Sequence, residues 1–259
     1  IDGAEIDERA WRLRKARTLV KALALAPARR LHRDQTMELL WPDLTATAAQ
    51  NNLHQALHAA RRVLGAEAIA LSDGLLVLSE RIACDVDRFE HAAAEARETG
   101  DAQAYESALE LYGGELLPED RYESWSDARR AALRELHGTL CLELAERQQP
   151  DDAVHTLQRA LAAAPLHEPA HRELMQLYVA LGRRQDALAQ FNRLRDALRV
   201  ELAAEPDEAT RALYRELLAG ESVGPLQPPP LPMQLTSFVG RTRELREVLD
   251  VLERSRLLT

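Results

Sequence analysis

The sequence predicts a mainly α protein built in two parts, with a small β-hairpin closing the first. Three observations predict it. The 259 residues are dominated by Ala, Leu, Arg and Glu, and aromatic residues make up only 4%, a composition that favours helices. The stretch Ala49 to Gly65 has a helical period, with Leu53, Leu57, Ala60 and Leu64 on one side. Charge is also divided. From Arg9 to Ala66 there are 11 Arg and Lys against 3 Asp and Glu, whereas His91 to Gly220 carries 15 against 24. A basic first part joined to an acidic body hints at nucleic-acid contact, although the whole chain has a net charge of -9.

At the start of the chain, Ile1 to Glu8 reads as the end of a β-hairpin, its turn marked by Asp2-Gly3. Arg12 to Ala26 is helical, with Ala16, Leu19, Val20 and Leu23 facing inward, and Pro27 ends it. Arg33 to Trp41 is a second, shorter helix closed by Pro42. Pro42 to Ala48 is a loop leading into the Ala49 to Gly65 helix. Ile69 to Leu71 and Leu75 to Leu78 then flank Ser72-Asp73-Gly74, the pattern of a hairpin turning on Asp-Gly. Three helices and then a hairpin describe a winged helix-turn-helix over residues 1–90, whose third helix enters the major groove of DNA.

The polar side of that third helix carries the chemistry. Asn51, Gln55, His58 and Arg62 form a narrow stripe opposite the leucines, flanked by His54 and Arg61 and free of carboxylates. Asn and Gln can pair with adenine through two hydrogen bonds, and Arg with guanine. Asn51, Asn52, Gln55, His58 and Arg62 are therefore the candidate base-reading residues. Arg14, Arg29, Arg30, Arg33 and Arg61 are the candidates for phosphate contact, each of which would steepen the salt dependence of binding. A solvated face on an ordinary amphipathic helix fits the same stripe, and plain solubility fits any one of the arginines. The hairpin 69–78 carries no Arg or Lys, which sets it apart from wings that grip the minor groove.

The acidic body, residues 91–220, repeats with a period of 34. Leu140 corresponds to Leu174, Leu144 to Tyr178, Ala153 to Ala187 and Leu157 to Phe191. Small alanines let paired helices approach, and bulky residues fill the gap, as in tetratricopeptide repeats. Arg199 stands where the preceding repeat has Pro165, so the last helix should run on into Val200-Glu201-Leu202. Gly182 supplies the turn between Glu173–Leu181 and Gln185–Arg199. Ala102 to Tyr112 and Ala128 to Arg147 supply a further helical pair. Stacked pairs leave a groove, and an acidic one suits a basic or peptide partner.

Three resemblances bear on function. RKARTLVKALALAPARRLHRDQTMELLWPD, followed by NNLHQALHAARRVLG, resembles the winged-helix domain of the Streptomyces antibiotic regulatory protein (SARP) family, related to the OmpR-type winged helix. LYGGELLPED, Tyr122 with Trp125, and HEPAHRELMQLYVALGRRQDALAQFNRLRDALRVELAAEPDEATRALYREL resemble the bacterial transcriptional activator domain (BTAD) that comes after it in that family. The resemblance implies a transcriptional activator: Ala49 to Gly65 reads double-stranded DNA, the Pro42 to Ala48 loop contacts RNA polymerase, and the helical body serves protein contacts or a homodimer. Gly220 to Gln234 is a Pro-rich linker. Phe238-Val239-Gly240-Arg241 with Glu244-Leu245 resembles the entry segment, residues 235–259, of a STAND-type NTPase.

Other classes are disfavoured. His167-Glu168-Pro169-Ala170-His171 matches a zinc-protease pattern, but Pro169 belongs in the first turn of a helix, which puts His167 before it and breaks the i,i+4 geometry. Both lysines, Lys15 and Lys21, precede residue 22, so no phosphate-binding GxxxxGK[ST] occurs and the chain is expected not to be an enzyme. No cofactor or metal is expected. Cys84 and Cys141 suggest neither a disulfide framework nor a metal knuckle. No apolar run approaches the ~20 residues needed to span a bilayer, and the polar start predicts no secretory signal, so a cytoplasmic setting is expected. Ile1 in place of Met predicts a piece of a longer chain. The competing expectation is a protein-interaction scaffold that uses the repeat groove without specific DNA binding.

Overall fold

Leu19 and Leu23 turn inward from the first helix and meet Leu40, Leu53, Leu57, Leu76 and Leu78 in one buried core. The computed structural model describes residues 10–219. The hairpin end expected at Ile1 to Glu8, the Pro-rich linker and the segment 235–259 lie outside the described residues. Three helices surround the core: α1 (Arg14–Leu25), α2 (Arg33–Leu40) and α3 (Ala46–Leu64). Three strands complete it: β1 (Arg30–His32), β2 (Ile69–Ser72) and β3 (Leu75–Leu78), antiparallel in the order β1-β3-β2. Leu76 of the central strand pairs with Leu31 on one side and Leu71 on the other.

The expected wing is present, turning on Asp73 and Gly74 with φ of 53° and 78°. Two successive positive φ angles match the right-handed twist of the flanking strands, which is why Asp-Gly sits there. β1 is an addition to the expected plan. Three residues are too few to show the alternation that marks a strand. The start of α2 holds β1 in place: Arg33 N donates to Gly74 O at 2.8 Å, tying that helix end to the wing turn. His32 caps α2, its Nδ1 accepting from Asp34 N at 3.3 Å while Gln35 Oε1 accepts from His32 N.

α3 begins three residues earlier than its periodicity suggests. Thr45 is the reason: its Oγ1 accepts from Ala48 N at 3.4 Å, capping a first turn made of small residues. The loop expected to reach Ala48 therefore ends at Thr45.

Seven further helices lie among the described residues. α4 (Asp85–Thr99) pairs with α5 (Ala102–Glu110), α6 (Asp127–Ala145) with α7 (Pro150–Ala163), and α8 (Glu168–Ala180) with α9 (Arg184–Leu202). The 34-residue period is one of packing: Ala153 and Ala187 are fully buried, and Leu140, Leu174, Leu144, Tyr178, Leu157 and Phe191 are buried around them. α9 does run through Val200 and Glu201, stopping at Leu202 before Ala203 turns left-handed. α10 (Glu208–Ala219) closes the array, stacking Tyr214 on Phe191 with ring centroids 3.9 Å apart. α5 packs on α6, the helical pair expected from Ala102–Tyr112 and Ala128–Arg147, and more extensively on α4, a helix that the repeat spacing does not mark. Residue 90, the expected end of the first part, lies inside α4. No helix among the described residues is long and apolar enough to cross a membrane.

Candidate nucleic-acid interface

α3 is seated by Ala49, Leu53, Ala56, Leu57 and Ala60, all buried. Seating that face leaves Asn51, Gln55, His58 and Arg62 exposed as a single stripe, with His54 beside it and Asn52 half-buried at its edge. Among the described residues none of these side chains has a hydrogen bond or ion pair. Unpartnered amides, imidazoles and a guanidinium on a fixed helix are free to exchange water for base edges. Trp11 and Leu13 stand beside the second half of the stripe and form a shallow groove with Gln55, His58 and Arg62. The first turns are open, and the earlier start of α3 adds exposed Thr47 to that end, next to exposed Gln50. Apolar periodicity, which starts the helix at Ala49, misses Thr47 and leaves Gln50 out of the stripe; Thr45 as a capping residue is the signal that reaches them.

The five arginines expected at phosphates divide. Arg30 is exposed on β1 and Arg33 exposed at the start of α2, the latter 3.4 Å from Asp34. Arg14 is 79% exposed in its side chain and only loosely placed, 3.5 Å from Glu123. Arg29 and Arg61 are turned to another use. Arg61 Nε and Nη2 both donate to Ile69 O, at 2.9 and 2.7 Å, stitching the end of α3 to β2. The guanidinium of Arg29 binds Asp87 on α4 and donates to Ser79 O at 3.2 Å and Ile82 O at 2.7 Å. Arg29 thus has Nε, Nη1 and Nη2 engaged with internal acceptors, and Arg61 has Nε and Nη2 engaged, which gives both a structural use.

Cations and anions also join the two parts along α1. Arg17 lies 2.9 Å and Lys21 2.7 Å from Glu119 Oε1, and Lys21 also pairs with Asp120. These contacts hold the Glu119 carboxyl well below its usual range, at about 2, the Lys21 hydrogen bond being the largest cause.

The zinc-like motif is built into the repeat packing. His167 caps α8, its Nδ1 accepting from Ala170 N at 3.2 Å. His171 Nε2 donates to Pro165 O at 2.9 Å, and its Nδ1 accepts from Gln190 Nε2 at 2.8 Å. Glu168 accepts from Asp207 N and Thr210 Oγ1, pinning α10. The two rings thus point to different partners, and the carboxylate is bonded to the start of α10.

A helix-turn-helix unit with a wing, bonded to a stack of helix pairs, defines the class of two-part transcriptional regulators. The model of the bacterial transcriptional activator domain matches residues 84–218, and the chain belongs to that family, as a transcriptional regulator of the SARP type. The chain is 26% identical over 224 residues to the transcriptional regulatory protein MoaR1 of Mycobacterium tuberculosis, covering 79% of this chain and 72% of that one. It is 26% identical over 264 residues to the regulatory protein AfsR of Streptomyces coelicolor, spanning 91% of this chain and only 26% of AfsR. The solved structure of Mycobacterium tuberculosis EmbR in complex with a low affinity phosphopeptide has the same fold, with a TM-score of 0.62, 22% identity, and coverage of 80% of this chain and 59% of that one.

Proposed function

We propose that this regulator reads double-stranded DNA through α3 and activates transcription. The exposed, carboxylate-free stripe of Asn51, Gln55, His58 and Arg62 carries the proposal. Asn52 stands at its edge, and Thr47 and Gln50 extend it towards the helix start, the end through which helix-turn-helix proteins make most base contacts. Arg14, Arg30 and Arg33 supply the phosphate contacts. The short loop before Thr45, with exposed Leu44, is the surface for RNA polymerase. The helical part takes a protein or peptide partner or a second copy. The DNA-reading unit runs from the N-terminus to the connection ahead of α4, the helical unit from there to residue 220, then a linker and the start of an NTPase, all in the cytoplasm.

The test is selection of bound sequences from a randomised duplex pool, and then anisotropy titrations over a salt series. One recovered site, bound at least about tenfold more weakly by Arg62→Ala or Gln55→Ala, is the expected result. Arg30→Ala should weaken all sequences alike and lower the salt slope by about one. The absence of Arg and Lys from the wing and the internal use of Arg29 and Arg61 favour a second reading, a scaffold that binds through its repeats. No enriched site, together with unchanged binding by Arg62→Ala, would establish that reading instead.

A further inference from the structure

The seam between the two parts is bonded at its rim and open in its middle. On the rim lie the pairs of Lys21 with Glu119 and Asp120, and of Arg29 with Asp87. Inside them is a cavity of about 470 Å³. Val20 and Ala24 of α1 form one wall, Val86 and Phe89 of α4 another, and Leu117 and Leu133 a third. The cavity is partly open to solvent and lined more by apolar than by polar atoms, a surface that favours apolar molecules over water. Its size falls within the range of roughly 300–1,000 Å³ of small-molecule sites, which favour domain boundaries. Leu117 is also held at φ 47°, a left-handed backbone that a leucine seldom adopts.

The charge of the occupant is set by the lining. Lys21 is held by its two carboxylates, Glu115 by Arg121. Asp85 Oδ1 accepts from Val86 N at 2.8 Å, and burial keeps the Cys84 thiol protonated. Lys21, the cation of the lining, is taken up by its own carboxylates, and Asp85 is held by a backbone amide, so an anionic guest would lose its hydration without gaining an opposite charge. We propose that this cavity is a binding site for a small, neutral, largely apolar molecule. Such a guest touches α1 and α4 together, so its affinity depends on how the two parts are spaced, and it biases that spacing in return.

The test uses the full chain and two dyes that share one ring system, neutral N-phenylnaphthylamine and anionic anilinonaphthalene sulfonate. The neutral dye should saturate at about one per chain, and the anionic dye should bind about tenfold more weakly. Ala24→Phe fills the cavity from inside, and Ala83→Trp from an exposed position where a large side chain does not disturb folding. Both should weaken the neutral dye by about tenfold or more, with melting curves confirming the fold. Absence of saturable binding, or saturation that neither substitution alters, overturns the site. Equal binding of the two dyes overturns its neutral character.

Discussion

Adjacent residues of one type have opposite uses here, and Arg29 and Arg30 show why. Arg29 has a positive φ of 54°, which turns its side chain under the wing and on to Asp87, while Arg30 enters β1 and points to solvent. Arg29→Ala leaves two carbonyls and a carboxylate without their donor, so it should lower stability by about 2 kcal/mol and visibly lower the melting temperature. Arg30→Ala should leave the melting temperature unchanged while weakening DNA binding. A melting temperature that falls equally in both would remove the distinction. His137 of α6 gives a second prediction. Burial, then the nearby charges of Arg159 and His167, hold its pKa down to about 4, and its ring stacks on Tyr112 at 4.2 Å. The unfolded chain protonates this histidine near its ordinary 6.5, so stability is full above that pH and falls between about 6.5 and 4. The loss approaches about 3 kcal/mol at the acid end. His137→Phe keeps a stacked ring and should flatten that part of a melting-temperature profile against pH.

Elements are set by their ends as much as by their faces. Thr45 fixes where α3 begins, and Thr45→Ala should cost about 1 kcal/mol and fray the turn that carries Thr47 and Gln50. Amide exchange restricted to the first turn of α3 is the readout; an unchanged pattern would show that packing alone sets the start. Gly138 of α6 is fixed by a neighbour: a Cβ there would stand 2.8 Å from His167 Nε2, so Gly138→Ala should force α6 and α8 apart and destabilise by about 1–3 kcal/mol. Legibility in the sequence divides along the same line. The apolar stripe of α3, the Asp-Gly turn and the 34-residue spacing are local or periodic, and each appears in the structure where its residues place it. The strand β1 is too short for a period, and the partnership of α5 with α4 needs knowledge of which faces meet. The commitment of Arg29 depends on Asp87, 58 positions away, and no local pattern separates it from Arg30. The exposed polar stripe is legible because one helix holds all of it.

At the scale of the whole molecule, the core of the winged part meets the first of two cores in the helical part across a seam that combines ion pairs with the apolar contact of Leu25. Single exposed ion pairs contribute little, about 0–1 kcal/mol. The cluster on α1 differs because Glu119 serves Arg17 and Lys21 together, and because Lys21 and Asp120 keep only 16% and 12% of their side chains exposed. Removing the anions by Glu119→Gln with Asp120→Asn strips Lys21 of both its carboxylates beside the cavity, a desolvation cost. The parts should then unfold less cooperatively, since each retains its own buried cores. Scanning calorimetry should show one transition in the native protein and a broadened or divided one in the double variant. Acid should mimic the substitution. Glu119 titrates at about 2 in the folded protein, so its contribution is complete above its ordinary value of 4.5 and is lost as pH falls from there towards 2. The native protein should therefore broaden its transition over that interval, and the double variant should not change further. A single sharp transition in both proteins at neutral pH would mean that the chain connection and apolar contacts, rather than the charged rim, couple the winged part to the helical body.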